Sequence, residues 1–297
     1  MDEQTAHTGD FPAQTKKFAW AAALLVLGFS LPLVRLLRFA AGDELHSYIL
    51  LIPVVSVYLM WLQKKELPRV SIPAKIPGAI FLGAGLAVAA WHWIAPRPAL
   101  ADNLVQTTAA FLLLLTGAGF WILGGALMRA AAFPLALLVF MVPLPDFLRD
   151  VVEAGLQHGS AVVAGGMFAV SDLPVLQDGL TFRLPGISLQ VARECSGIHS
   201  TMVLFITSLV AGHFFLRSPW KRAVLCVAVI PLALVRNGFR VFVLGELCEH
   251  IGPQMIDSPI HHHGGPLFFA LSLLPFFGLL YLLKRSERAG RPGPPKH

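Results

Sequence analysis

Eight stretches run along the chain with little or no charge, each near the ~20 apolar residues that a helix needs to cross a bilayer. They fall at about 18–34, 47–63, 77–95, 104–127, 130–145, 197–216, 222–242 and 265–283. In hydrocarbon every backbone N–H and C=O must find its partner within the protein, so such stretches are expected as helices. Charged residues make up only 13% of the 297, where a soluble domain carries roughly 25%. A single water-soluble globule is thereby excluded, and so is intrinsic disorder. The expected fold is all-α and polytopic, with about eight transmembrane helices and no internal repeat.

The net charge of +6 suits either nucleic acid or a membrane setting. No basic patch is interleaved with aromatic residues, so no nucleic-acid partner is expected. In a membrane protein, Lys and Arg collect on the cytoplasmic side. With the N-terminus cytoplasmic, fifteen of the 23 fall in inner segments, among them Lys16, Lys17, Lys64, Lys65, Lys221, Arg222 and Lys284. Arg35, Arg38, Arg97, Arg149, Arg183, Arg193, Arg236 and Arg240 fall outside or at outer span ends. The bias predicts a multi-pass protein of the cell (inner) membrane with both termini cytoplasmic. Its parts are an N-terminal tail (1–17), a transmembrane domain (18–283) and a basic, Pro/Gly-rich tail (284–297). No small-residue cleavage site follows the first apolar run, which reads as a retained span.

An insertion at about 146–194 is expected on the extracytoplasmic side. Residues 147–170 mix apolar positions with Arg149, Asp150, Glu153 and His158, the pattern of an amphipathic helix. A further span is the alternative there. Residues 175–184, the Pro185-Gly186 pair and residues 187–191 read as strand, tight turn, strand. A small extracytoplasmic β-hairpin is therefore expected, leading directly into Cys195.

In a chain this apolar, ionisable residues near span ends are the informative ones. Three groups stand out, all on the outer side in this topology. The first is Arg193-Glu194-Cys195-Ser196-Gly197, at the start of the sixth span. A helix N-terminus favours a thiolate, and the Ser196 and Gly197 amides can serve a nascent oxyanion. The plainer reading is a buried, inert cysteine. The second group is Arg236-Asn237-Gly238-Phe239-Arg240. Asn237 and Arg240 share a helix face at i, i+3 and make a donor-rich patch. Arginines at a boundary can also simply snorkel to water, Arg236 most readily. The third is His261-His262-His263-Gly264-Gly265, before the last span. Side chains of adjacent histidines diverge and no HExxH pattern is present, so neither a metal nor another cofactor is expected. A histidine here is apt for acid–base work instead. Of the other cysteines, Cys226 is expected to pack inside a span and Cys248 to lie free on the outer side. His46 and Ser47, beside Asp43 and Glu44, either line a substrate entry or cap a helix start.

A cysteine, a histidine and a fixed cationic donor form a nucleophilic acyl-transfer set. The thiolate attacks a carbonyl, the arginine or backbone amides hold the oxyanion, and the histidine protonates the departing amine. An incoming nucleophile then resolves the thioester.

These residues resemble a family. Cys195-Ser196-Gly197 at a span start, Asn-x-x-Arg at Asn237 to Arg240, and His-x-x-x-Gly at His261 to Gly265 look like the exosortase/archaeosortase family. Asp43 to Gln63, Pro143-Leu144-Pro145 and the hairpin also fit, so the resemblance runs from about residue 18 to 285. It implies a membrane cysteine protease and transpeptidase acting on exported proteins. Their expected C-terminal signal is a short Pro-Glu-Pro-like (PEP-CTERM-like) motif, a transmembrane helix and a basic cluster. The new C-terminus would pass to a surface acceptor, with membrane lipids as surroundings. Carried over, Cys195 is the nucleophile, Arg240 the oxyanion or thiolate partner and His261 the acid/base. Ser196, Gly197, Asn237 and Arg236 support them. The run of three histidines departs from the single one expected and leaves His262 and His263 as alternatives, although spacing to the glycine pair favours His261. Rival readings keep the same cysteine as a hydrolase without transfer, or make the chain a transporter or a structural partner in an envelope assembly.

Overall fold

The computed structural model describes residues 11–68, 72–95, 100–171, 173–184, 187–191, 196–252, 254–255 and 264–289. It is an all-α polytopic membrane protein with one small antiparallel sheet. The chain divides into two compact units, residues 1–148 and 149–297.

In the first unit, α1 (Phe11–Gly28) and α2 (Ser30–Gly42) replace the straight span expected at 18–34. They meet at a 70° bend. Pro32 supplies the reason: it has no N–H for the carbonyl of Gly28, and its ring crowds that carbonyl. A 3-10 turn (Ser47–Leu50) leads into the short α3 (Ile52–Gln63). Helices α4 (Lys75–Ile94) and α5 (Leu100–Ile122) follow, each long and apolar enough to cross a bilayer. The stretch expected as one span at 130–145 is instead α6 (Gly125–Ala130), α7 (Ala132–Leu137) and a 3-10 turn (Leu138–Met141). Before α3, Asp43 accepts from the Leu45 N–H at 3.0 Å and pairs with His46 Nδ1 at 2.8 Å. His46 is buried, so the polar residues here close a turn.

The second unit opens with α8 (Asp146–Ala169), most of which lies within it. Leu156, Ser160, Ala161, Ala164 and Phe168 form its buried stripe, as an amphipathic helix requires. It is not among the helices apolar enough to span a bilayer. The hairpin expected next is a three-stranded sheet, β1 (Leu176–Asp178), β2 (Thr181–Leu184) and β3 (Ile187–Gln190), in the order 1-2-3. Gly179 splits what reads in sequence as one long strand. Its φ of +59° places it in the left-handed region that a two-residue hairpin loop demands at its first position, and Asp178 then pairs with Thr181. Alternate residues Phe182, Leu184, Leu189 and Val191 point to one face and bury against Ala161, Ala164 and Phe168 of α8. The Pro185-Gly186 turn lies outside the described residues.

Helices α9 (Ile198–Phe215), α10 (Pro219–His250) and α11 (Gly265–Ala289) complete the unit and are apolar enough to span. Leu204, Leu225, Val229, Phe276 and Leu280 form the core between them. Their other faces expose Val227, Ile230, Leu267, Leu274 and Phe277, a surface suited to lipid and not to water. In all, five described helices can cross a membrane, or six with the bent α1–α2 pair, and two shorter apolar helical segments stand where further spans were expected.

Helix α10 continues past residue 242, where the span was expected to end. Its 32 residues reach about 48 Å, against a hydrocarbon core of about 30 Å. The surplus packs under the sheet, with Val241, Leu244 and Cys248 in the same core as Phe182. Close approach to α8 is possible because Gly238 and Gly245 carry no side chain. A Cβ there would meet Val163 Cγ1 at 2.7 Å and Phe168 Cζ at 2.5 Å.

Phe182 is completely buried in this core. Phe182→Ala is expected to cost about 3–5 kcal/mol of stability. The check is a lowered thermal unfolding midpoint of the detergent-solubilised protein, with no change for Arg183→Ala on the opposite, exposed face.

Candidate active site

Polar contacts of unit 2 gather around the start of α9. Gly197 caps that helix with φ +68° and ψ 19°, a left-handed conformation. Its carbonyl is the centre of the cluster. It accepts from the Thr201 N–H at 2.9 Å, the Thr201 hydroxyl at 2.8 Å and the Ser200 hydroxyl at 3.0 Å. Arg236 Nη2 donates to the same oxygen at 3.2 Å and to Thr201 Oγ1 at 3.4 Å. A carbonyl oxygen has two lone pairs, so four donors share it and fix its direction. Glycine is required twice here. Its φ is the first reason. The second is space: a Cβ would stand 2.8 Å from Arg236 Nη2.

Ser196 is buried, and its hydroxyl lies 3.5 Å from the Ile198 N–H, the first amide of α9. Asn237 is buried on α10, with its amide nitrogen donating to Ser160 Oγ on α8 at 3.1 Å. One turn earlier on α8, Gln157 donates to the Val191 carbonyl at 3.4 Å. Two polar residues on one face of α8 thus brace two segments, the end of β3 and the Arg236–Arg240 stretch of α10. They stand within an otherwise apolar stripe, a signal present in the sequence at 157 and 160 that charge-based reading passes over. Thr201 is the third residue that such reading misses.

The two arginines differ in environment. Arg236, the one expected to snorkel most readily, is 8% exposed and turned inward to Gly197. Arg240, one turn further on, is half-buried. Arg236 thus joins the donor-rich patch expected from Asn237 and Arg240 and donates to the start of α9. Cys195 directly precedes Ser196 in the chain. Cys195, His261, His262 and His263 lie outside the described residues. Gly264, next to the histidine run, is buried just before α11. Among the described residues no group of three or more His, Cys, Asp or Glu gathers to hold a metal ion.

Cys226 is half-buried in α10, with its sulfur 3.4 Å from Ser208 Oγ. Cys248 is free, as expected, and is buried on α10 beneath the sheet, because the helix runs on to His250 and turns this residue toward Phe182 and Leu189.

A lipid-compatible bundle with a buried donor cluster at one helix start defines a polytopic membrane protein whose polar site was built at a span end. The chain matches the family described as transmembrane exosortase (Exosortase_EpsH) over residues 38–278. It belongs to that family, which is one of membrane cysteine peptidases and transpeptidases. No curated protein and no solved structure matches the chain.

Gly197→Ala is expected to destabilise the start of α9 by about 1–2 kcal/mol from backbone strain alone, and to push Arg236 off its carbonyl. A lower thermal midpoint than wild type checks it, and Ser196→Ala, which meets neither restriction, should lower it less. A thiol-specific reagent applied to the folded protein is expected to leave Cys248 largely unmodified until denaturant is added, as peptide mass spectrometry would show.

Proposed function

We propose that this chain is an exosortase-like cysteine transpeptidase that cleaves a C-terminal sorting signal on exported proteins and transfers the new C-terminus to a surface acceptor. The observation that carries the reading is the Gly197–Arg236–Asn237 cluster, built at the helix start that immediately follows Cys195, in a chain of the exosortase family.

In this mechanism the Cys195 thiolate attacks the scissile carbonyl carbon, and the carbonyl oxygen becomes an oxyanion. Arg240 stabilises that charge, and it suits the task because a guanidinium stays protonated at any working pH. The oxyanion collapses, the C–N bond breaks, and His261 gives its proton to the departing amine. A thioester remains on Cys195. The acceptor's nucleophile attacks it, loses a proton to the histidine, and releases the thiolate. Ser196 and Gly197 start the helix whose N-terminal dipole favours the thiolate. Asn237, held by Ser160, keeps the arginine-bearing face of α10 in place. The site works on the extracytoplasmic face, with both termini in the cytoplasm, where an exported substrate retained by its own transmembrane helix and basic tail can reach it.

Each of Cys195→Ala, Arg240→Ala and His261→Ala is expected to leave substrate unprocessed while the protein still inserts. Comparative mass spectrometry of envelope proteins from cells with wild type or variant reads this as retained C-terminal peptides. Normal processing by Cys195→Ala would end the reading. Added amines that intercept the thioester distinguish transfer from simple hydrolysis, since a hydrolase that excludes amines yields only the free acid.

A further inference from the structure

Arg236 has more donors than the fold uses. Nη2 is committed to the Gly197 carbonyl and the Thr201 hydroxyl. Nη1 is buried and has no hydrogen-bond partner among the described residues. The side chain is 8% exposed, and no ion pair to it is made among the described carboxylates. A buried ion without a counter-charge is unfavourable, and a buried donor without an acceptor adds to that.

The position sharpens the point. The N-terminus of the 18-residue α9 carries partial positive charge, so a guanidinium beside it is of like sign. Gly197 brings no side chain of its own there, and the Ser196 hydroxyl accepts from the Ile198 amide at 3.5 Å. A fixed cation beside the positive end of a helix forms a place for an anionic oxygen. The Arg236 side chain also lines an open, almost wholly apolar cavity of about 430 Å³ between α10 and α11, whose other walls include Pro231, Val235, Phe239, Phe268 and Leu271. Charge-assisted bonds are strongest where such apolar walls exclude water.

We propose that Arg236 Nη1 and the first turn of α9 form a subsite for one anionic oxygen group of the polypeptide substrate. Two sources present this chemistry: a side-chain carboxylate of the substrate, or the oxyanion of the carbonyl under attack. The proposal deepens the transpeptidase reading and takes Cys195 as its nucleophile.

The test uses two alkylating reagents that differ by one charge. Iodoacetate carries a carboxylate, and iodoacetamide is its neutral counterpart. With either, the Cys195 thiolate displaces iodide from carbon and a thioether forms. Rates at Cys195 are read by peptide mass spectrometry on the full-length protein in detergent at fixed pH, with Cys226 as internal reference. Arg236→Gln is expected to lower the iodoacetate-to-iodoacetamide rate ratio at Cys195 about tenfold and leave the ratio at Cys226 unchanged. Arg236→Lys retains most of the wild-type ratio, which a purely structural role would not produce. Should the glutamine variant fail to fold, wild type answers alone: acetate exchanged for chloride at constant ionic strength slows iodoacetate more than iodoacetamide. Equal ratios in wild type and Arg236→Gln overturn the proposal, as does a Cys195 that neither reagent reaches in the folded protein.

Turnover separates the sources. A rise in KM for Arg236→Gln that vanishes when the substrate's acidic side chains are replaced by amides assigns the carboxylate. A fall in kcat on both substrates assigns the oxyanion. Normal processing by Cys195→Ala would remove the transpeptidase reading while leaving the alkylation ratio as a direct measure of the anion subsite.

Discussion

The length of α10 is the constraint on which the second unit depends. A helix of about 48 Å cannot keep all its turns in a hydrocarbon layer of about 30 Å, so one element must serve two media. Past Lys221 and Arg222, its first half is apolar and packs with α9 and α11 through Leu225 and Val229. Its last turns pack through Leu244 and Cys248 against the sheet and α8. The residues between, Arg236 to Arg240, sit where the helix changes partners. Here polar groups and close backbone approach coincide, with buried Arg236 and Asn237 adjoining Gly238. The polar cluster thus sits where the packing partners change along one helix.

Hydropathy made most of the fold legible. Long uncharged runs left little choice but helices, and the mixed segment 147–170 declared its amphipathic character through charges confined to its first two turns. The breaks were less legible, because each depends on a single residue whose effect is local. Pro32 bends the first run, and Gly179 turns one apparent strand into two. The end of α10 was not legible, because Arg236 and Arg240 mark a change of packing partners past which the helix runs on to His250. Cys248 lies on that extension and is buried by it.

At the site, residue types were readable and roles within the cluster were not. Asn237, Ser196 and Gly197 were legible from their unusual place at span ends, and all three take part. Which arginine turns inward was not. Positions 236 and 240 lie one turn apart on one helix face, and sequence spacing assigns both the same direction. The choice is made by α9, whose left-handed Gly197 offers its carbonyl to the nearer guanidinium. Gln157 and Ser160 were hidden for the opposite reason. They are uncharged, and their importance comes only from the Val191 carbonyl and Asn237 amide that the fold brings to them.

Why a guanidinium should be retained at such a position follows from its neighbours. A neutral donor would satisfy the Gly197 carbonyl and the Thr201 hydroxyl without burying an ion at the positive end of a helix. The added charge serves no partner among the described residues, since Nη2 bonds only neutral oxygens and Nη1 bonds nothing. With no counter-charge among the described residues, such a charge gains most when an anion arrives. Its free-energy return therefore falls in the bound or reacting state and not in the resting one. Interactions that strengthen only as the reaction proceeds are those that raise turnover.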